Sequence, residues 1–304
     1  MRWDGLLNGL WAASLSAAVI ILAVLPLRAL FRDRTPRRAF CLLWDAALVR
    51  LLVLTALPSP VSVWQWLPEA SSTLSSGVSH TAAPKIAVPV TEIVTEGTAA
   101  VSDSAAVPPV MVLDWSAVLA VVWLAASLAL AAWFFWSHLR SRRLYADSLP
   151  CKDASVRGWL AAHRLRRDIQ VRTSDRIAAP LTYGVLRPVI LLPSGMKRTD
   201  RAVLSCVLEH EYQHIRRFDT LRKALLAAAL CLHWFNPLAW VLYVLSNRDM
   251  ELACDEAVTA RGVDRAEYAQ TLLSMEEQRG RWGLSGSHFS QNALEERIRS
   301  IMKH

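Results

Sequence analysis

Four apolar stretches, residues 6–27, 39–57, 115–136 and 224–245, set the tightest limit on what this 304-residue chain can fold into. A hydrocarbon layer of about 30 Å takes about 20 residues of helix to cross, and each stretch is close to that length. Residues 6–27 and 115–136 are almost free of charge. Residues 39–57 carry Asp45 and Arg50, which cost free energy in lipid and are expected to tie helices together. About 140° apart round a helix, these two should not pair with each other. An apolar content of 53% and thirteen tryptophans agree with a membrane protein.

The arginines give the expected orientation. Arg28, Arg32, Arg34, Arg37 and Arg38 lie between the first two stretches, and Arg140, Arg142 and Arg143 follow the third. Both segments should be cytoplasmic, which puts the N-terminus outside. Residues 58–112 hold one lysine, Lys85, and no arginine, as an outer loop should; their Pro/Ser/Thr/Ala-rich composition suggests a flexible segment. The arginine-rich segment after residues 6–27 favours a retained anchor over a cleaved signal. The formal charge of +8 lies largely beside helix ends, where an anionic inner leaflet would attract it, and needs no nucleic acid to explain it. None of the five cysteines lies in the outer loop, so no disulfide framework is implied.

A cytoplasmic part is expected from about residue 137, with short β-type runs at residues 169–173 and 189–192 forming a small sheet or hairpin. A helix then follows over about residues 199–217, with Thr199-Asp200 as its N-cap pair. This helix carries His210-Glu211-Tyr212-Gln213-His214, an H-E-x-x-H sequence. Residues i and i+4 lie about 40° apart round a helix, so both imidazoles can reach one metal ion while Glu211 faces a water beside it. Imidazoles suit Zn²⁺, the metal acidifies water, and a carboxylate can move its proton, so the motif predicts a zinc peptidase with Glu211 as general base.

A catalytic zinc needs a third protein ligand and an open position. Glu251 is the best candidate; Asp255, one turn on, would orient an imidazole. Cys254 lies about 60° from Glu251 round the helix and stays open as an alternative ligand, whereas Glu256 points about 140° away. Residues 224–245 lie between His214 and Glu251. A single crossing there would place the ligands on opposite faces of the membrane. Asn236-Pro237 resolves the conflict, because proline disfavours helical geometry at the preceding residue. Two arms of roughly 18 Å could enter the membrane and return to the same side, so a re-entrant hairpin is expected.

The apolar spans, the run Ala179-Pro180-Leu181-Thr182-Tyr183-Gly184-Val185-Leu186-Arg187-Pro188-Val189-Ile190-Leu191-Leu192-Pro193, the H-E-x-x-H motif, His233-Trp234-Phe235-Asn236-Pro237 and the segment from Glu251 to Asp255 together resemble the M56 membrane metallopeptidases of BlaR1/MecR1-type antibiotic sensors. The resemblance implies a mainly α membrane protein. It would have three N-terminal transmembrane helices within residues 1–136 and a cytoplasmic α+β gluzincin-like zinc peptidase domain over residues 137–304. It implies one Zn²⁺ on His210, His214 and Glu251, with Asp255 behind a ligand. It also implies cytoplasmic cleavage, at the inner membrane, of a protein such as a BlaI/MecI-type repressor or of the chain itself. The receptors carry a further membrane helix and an outer penicillin-binding domain after the peptidase, whereas this sequence ends at His304; either it is a truncated sequence, or the signal is expected through the spans, the outer loop or another protein and not by direct β-lactam sensing.

An S-x-x-K match at Ser194 and Lys197 is read as a loop coincidence, since it falls on the inner side. Tyr183 and His233 are candidate oxyanion donors, though packing is the commoner role for such residues. The expected partners are the lipid bilayer and a protein substrate, with no direct nucleic-acid contact; a homodimer stays open. The rival reading is a membrane signalling protein that keeps zinc only as a structural clamp.

Overall fold

A computed structural model describes residues 3–31, 34–53, 115–196, 201–281 and 288–303. The expected outer loop, Lys197 and the Thr199-Asp200 cap lie outside the described residues. All described residues except Trp115 belong to one compact unit.

Helix α1 (Trp3–Phe31) is apolar on all sides, but only one stripe is buried: Leu10, Ala13, Ala17, Ile21 and Val24. The three- and four-residue steps keep these side chains on one face, and two alanines let a neighbouring backbone come close. That neighbour is α2 (Arg37–Leu52), which presents Phe40, Cys41, Trp44, Ala47, Leu48 and Leu51 at the same spacing. Trp11, Leu15, Val19 and Leu22 of α1 face outward. Helix α3 (Trp115–Ala146) buries only Ala120 and Ser127 among its 32 residues. At about 1.5 Å per residue it is longer than a hydrocarbon layer is thick, and its last turns carry Arg140, Arg142 and Arg143.

Two helices, Leu7–Phe31 and α3, are therefore long and apolar enough to cross a membrane. The second expected span is a helix of 16 residues, shorter than the reading of residues 39–57; residues 54–57 lie outside the described residues. Its Asp45 reaches another helix, through Arg222. Arg50 donates to the Val53 carbonyl at the end of its own helix.

The small sheet contains β1 (Leu149–Pro150), β2 (Gln170–Ser174), β3 (Leu181–Tyr183) and β4 (Val189–Pro193), in the order β1-β2-β4-β3. The two expected β runs are neighbours, but they pair in parallel, with Val171 opposite Ile190. The hairpin is instead formed by β3 and β4, which leaves β3 at the edge of the sheet. Its turn needs Gly184: φ is +85°, and a Cβ there would lie 2.5 Å from the Arg187 carbonyl oxygen. Helix α4 (Ala154–Ala162) joins β1 to β2 and is capped by Asp153, which accepts from the Ser155 amide.

Helix α5 (Arg201–Arg216) carries the H-E-x-x-H residues and is buried on every side over residues 206–215. Leu204, Val207, Leu208, Tyr212 and Ile215 pack against Val171, Ile190 and Leu192 of the sheet. Cys206 packs with Val258, Tyr268 and Leu272 on the opposite side. The polar residues between these faces are held within the protein.

Helices α6 (Asp219–Leu232) and α7 (Pro237–Thr259) divide the fourth apolar stretch at residues 233–236. Pro237 occupies the first turn of α7, and the Asn236 side chain caps the Leu238 amide. Lys223 and Glu251, 28 residues apart, meet at 3.2 Å, so the chain returns on itself. The turn is held from three directions. Asn236 Nδ2 donates to Ser14 Oγ of α1 at 2.8 Å, Trp123 Nε1 of α3 donates to the Leu232 carbonyl at 2.9 Å, and His233 Nε2 lies 3.0 Å from the Leu51 carbonyl of α2. Near the other end of α1, Arg28 pairs with Asp249 at 2.9 Å, and Trp44 Nε1 also donates to Asp249. Helix α7 thus runs beside α1 for about 20 Å. Helices α8 (Arg265–Arg281) and α9 (His288–Lys303) complete the fold.

Candidate metal centre

His210, Glu211 and His214 project from α5, and α7 brings Glu251 up to them. His210 Nε2 and His214 Nε2 are 3.2 Å apart. Glu251 Oε2 lies 3.5 Å from the first and 3.6 Å from the second. Tetrahedral Zn²⁺ with bonds of about 2.0–2.1 Å holds its ligand atoms about 3.3 Å apart, so this triangle suits such an ion. A cavity of about 840 Å³ opens beside it and is also lined by Glu211, Thr182, Tyr183, Lys223 and the C-terminal end of α3. One side of the triangle therefore has room for water and a substrate.

Each imidazole is held through its other nitrogen. His210 Nδ1 is 2.9 Å from the Tyr268 hydroxyl and 3.3 Å from Asp255 Oδ1. Asp255 accepts from Tyr268 at 2.7 Å and from two nitrogens of Arg297 at 2.7 and 2.8 Å. Burial raises the Asp255 carboxyl, but Arg297 and His210 outweigh it and hold the group well below the usual carboxylate range. His214 Nδ1 lies 2.8 Å from Asp219 Oδ2. Carboxylates on the outer nitrogens fix ring orientation and leave both Nε2 atoms aimed at one point.

Cys254 lies on the other side of His214. Its Sγ is 3.4 Å from Nδ1 and 3.6 Å from Asp219, away from the nitrogen that meets Glu251. His214, Asp219 and Cys254 are close enough together to hold a cation, but all three are buried. His214 and Asp219 line the cavity but Cys254 does not, so the sulfur lies behind His214 and away from the open side. Glu256 accepts from the Arg37 amide and faces away from the site. Tyr183 lines the cavity and stacks on Tyr145 at 5.1 Å, whereas His233 is fully buried at the hairpin turn.

Four residues of the site were not anticipated from the sequence: Asp219, Tyr268, Arg297 and Thr182. Thr182, on edge strand β3, donates to Glu211 Oε2 at 2.6 Å and so joins the strand to α5. Asp219 follows Phe218, whose left-handed backbone (φ 57°) folds the chain back after α5. A bulky residue there is uncommon, and the Phe218 ring is held by Arg167, with the guanidinium 3.8 Å from its centre.

The family profile described as BlaR1 peptidase M56 matches residues 8–301. The chain is similar to the regulatory protein BlaR1 of Bacillus licheniformis, at 33% identity over 134 residues, which is 42% of this chain and 22% of that protein. It is also similar to the methicillin resistance mecR1 protein of Staphylococcus aureus strain Mu50, at 26% over 95 residues, or 31% and 16% of the two lengths. The regulatory protein BlaR1 of Staphylococcus aureus is 23% identical over 162 residues, or 50% and 27%. The matches thus span about a quarter or less of each relative's length.

Proposed function

Since the chain belongs to the BlaR1 peptidase M56 family, we propose that it is a membrane-embedded zinc metalloendopeptidase that cuts protein substrates at the cytoplasmic face. The observation that carries this reading is the triangle of His210, His214 and Glu251 at 3.2–3.6 Å beside a cavity lined by Glu211. These three residues would hold the metal, in a gluzincin-like arrangement. Zn²⁺ bound there supplies positive charge that polarises a carbonyl and acidifies water.

The chain's own residues do the rest. Glu211, with Oε2 held by Thr182, takes a proton from the attacking water at Oε1 and passes it to the leaving amine. Asp255 and Asp219 keep the two imidazoles aimed. Edge strand β3 offers main-chain donors and acceptors to an extended peptide lying in the cavity. Similarity to regulatory proteins supports a role in signalling, by cleavage of a BlaI/MecI-type repressor or of the chain itself. The structural-clamp reading is weaker, because a closed clamp needs neither an open side nor a carboxylate next to it.

In this reading three spans, with the hairpin of residues 224–245 entering from the inner side, would bring the site to the cytoplasmic surface, and the arginines at the C-terminal ends of α1 and α3 support it. The test uses full-length protein in sealed vesicles of both orientations, given a BlaI/MecI-type repressor from outside. Inside-out vesicles should cleave it and stop when zinc is chelated, while right-side-out vesicles should not. Cleavage by right-side-out vesicles would reverse the topology, and cleavage that survives chelation would end the zinc reading.

A further inference from the structure

We propose that Asp45 of membrane helix α2, acting through Arg222 and Asp219, is a positioning residue for His214, so that the metal site is tied to α2. The inference rests on the zinc reading above and extends it outward by two residues.

Its basis is an unbroken chain of short contacts. Asp45 Oδ2 accepts from Arg222 at 2.7 Å. Another nitrogen of Arg222 donates to Asp219 Oδ1 at 3.2 Å, and Asp219 Oδ2 meets His214 Nδ1 at 2.8 Å. Each oxygen of Asp219 has one of these partners, and its side chain is 1% exposed. Its plane is therefore set jointly by the imidazole and by Arg222. Arg222 is 18% exposed and lies on α6, between the acid of its own helix and the acid of α2.

Without Asp45 the long Arg222 side chain recovers rotamer freedom, and Asp219 loses its outer support. Nδ1 of His214 then has a looser acceptor, and the aim of Nε2 towards Glu251 loosens with it. Packing alone does not account for an acid here. The interface of α2 with α1, α6 and α7 is already filled by Phe40, Trp44, Leu48, Leu226 and Leu242, and a carboxylate in an apolar helix carries a desolvation cost. A shift of α2 against the hairpin would thus reach the metal through the two salt bridges of Arg222.

The test is zinc affinity of the full chain in detergent, measured by competition with a chromophoric chelator, together with the visible spectrum of the Co²⁺-loaded protein. Loss of a partner behind a metal ligand costs about 10–100-fold in affinity, and Asp45 is two steps further out than Asp219, the partner behind His214. Asp45→Leu should weaken zinc by about 5–10-fold and shift the Co²⁺ bands, and Arg222→Met should do at least as much. The double variant should be no weaker than Arg222→Met alone, and Asp45→Glu should restore near-normal binding. Thermal melting of the metal-free proteins separates misfolding from mispositioning.

Wild-type affinity and spectrum in a folded Asp45→Leu protein would overturn the proposal, as would losses that multiply in the double variant. So would a drop in metal-free melting temperature with no change at the metal. If wild-type protein shows these dependences yet cleaves nothing, the peptidase reading fails and the positioning stands. If it binds no zinc, both fail.

Discussion

Glu251→Ala is expected to lower zinc affinity by more than the roughly 10–100-fold that follows loss of a residue behind a ligand. Glu251 is the group from α7 that closes the triangle with the two histidines, and its removal leaves two imidazoles on one helix and no anionic oxygen. Two neutral ligands hold Zn²⁺ far less firmly than two plus a carboxylate, and the remaining positions fall to water. Lys223, 3.2 Å from Glu251 Oε1, would add an unpaired cation beside the site. Cys254→Ala is the control. Its sulfur faces the other nitrogen of His214, so its loss should change zinc affinity only a few-fold. Equilibrium competition with a chelator measures both. A large loss in Cys254→Ala and little in Glu251→Ala would move the metal to the buried group of His214, Asp219 and Cys254.

Glu211→Gln should separate binding from catalysis. The amide keeps the size of the side chain and can still accept from Thr182, so zinc should stay bound at about one ion per chain. It cannot take a proton from water, and general acid–base catalysis is worth about 10²–10⁴-fold, so cleavage should fall by that much. The measurement is the initial rate of repressor cleavage by reconstituted protein with zinc content determined on the same sample. An unchanged rate would mean that Glu211 is no base and that the cutting does not come from this site, which would leave the site with the rival role of a clamp.

The meeting of His210, His214 and Glu251 was legible because each part leaves a local trace. His210, Glu211 and His214 share one helix at fixed spacing. The break before Pro237 follows from proline chemistry. Glu251 then follows as an acid beyond that break, one turn before Asp255, on a helix that can return to the histidines. The surrounding support had no such trace. Asp219 reaches His214 because Phe218 takes a left-handed conformation, and nothing in the sequence period marks a phenylalanine for that role. Tyr268 and Arg297 come from α8 and α9, and meet Asp255 only after those helices have packed.

The sheet shows the same limit. Both β runs could be found from composition, but their parallel pairing and the placement of β3 at the edge depend on contacts between distant segments. The second apolar stretch differs for another reason. Hydropathy continues past the described end of α2 at Leu52, and helix length depends on what covers each turn as well as on apolarity.

X-ray absorption at the zinc edge of the purified full chain tests the central claim most directly. The account predicts one zinc per chain with four light-atom neighbours at about 2.0–2.1 Å, two of them showing the outer-shell scattering of imidazole. A sulfur neighbour at about 2.3 Å would contradict it, because a cysteine ligand belongs to the other group, His214, Asp219 and Cys254, and not to the triangle closed by Glu251.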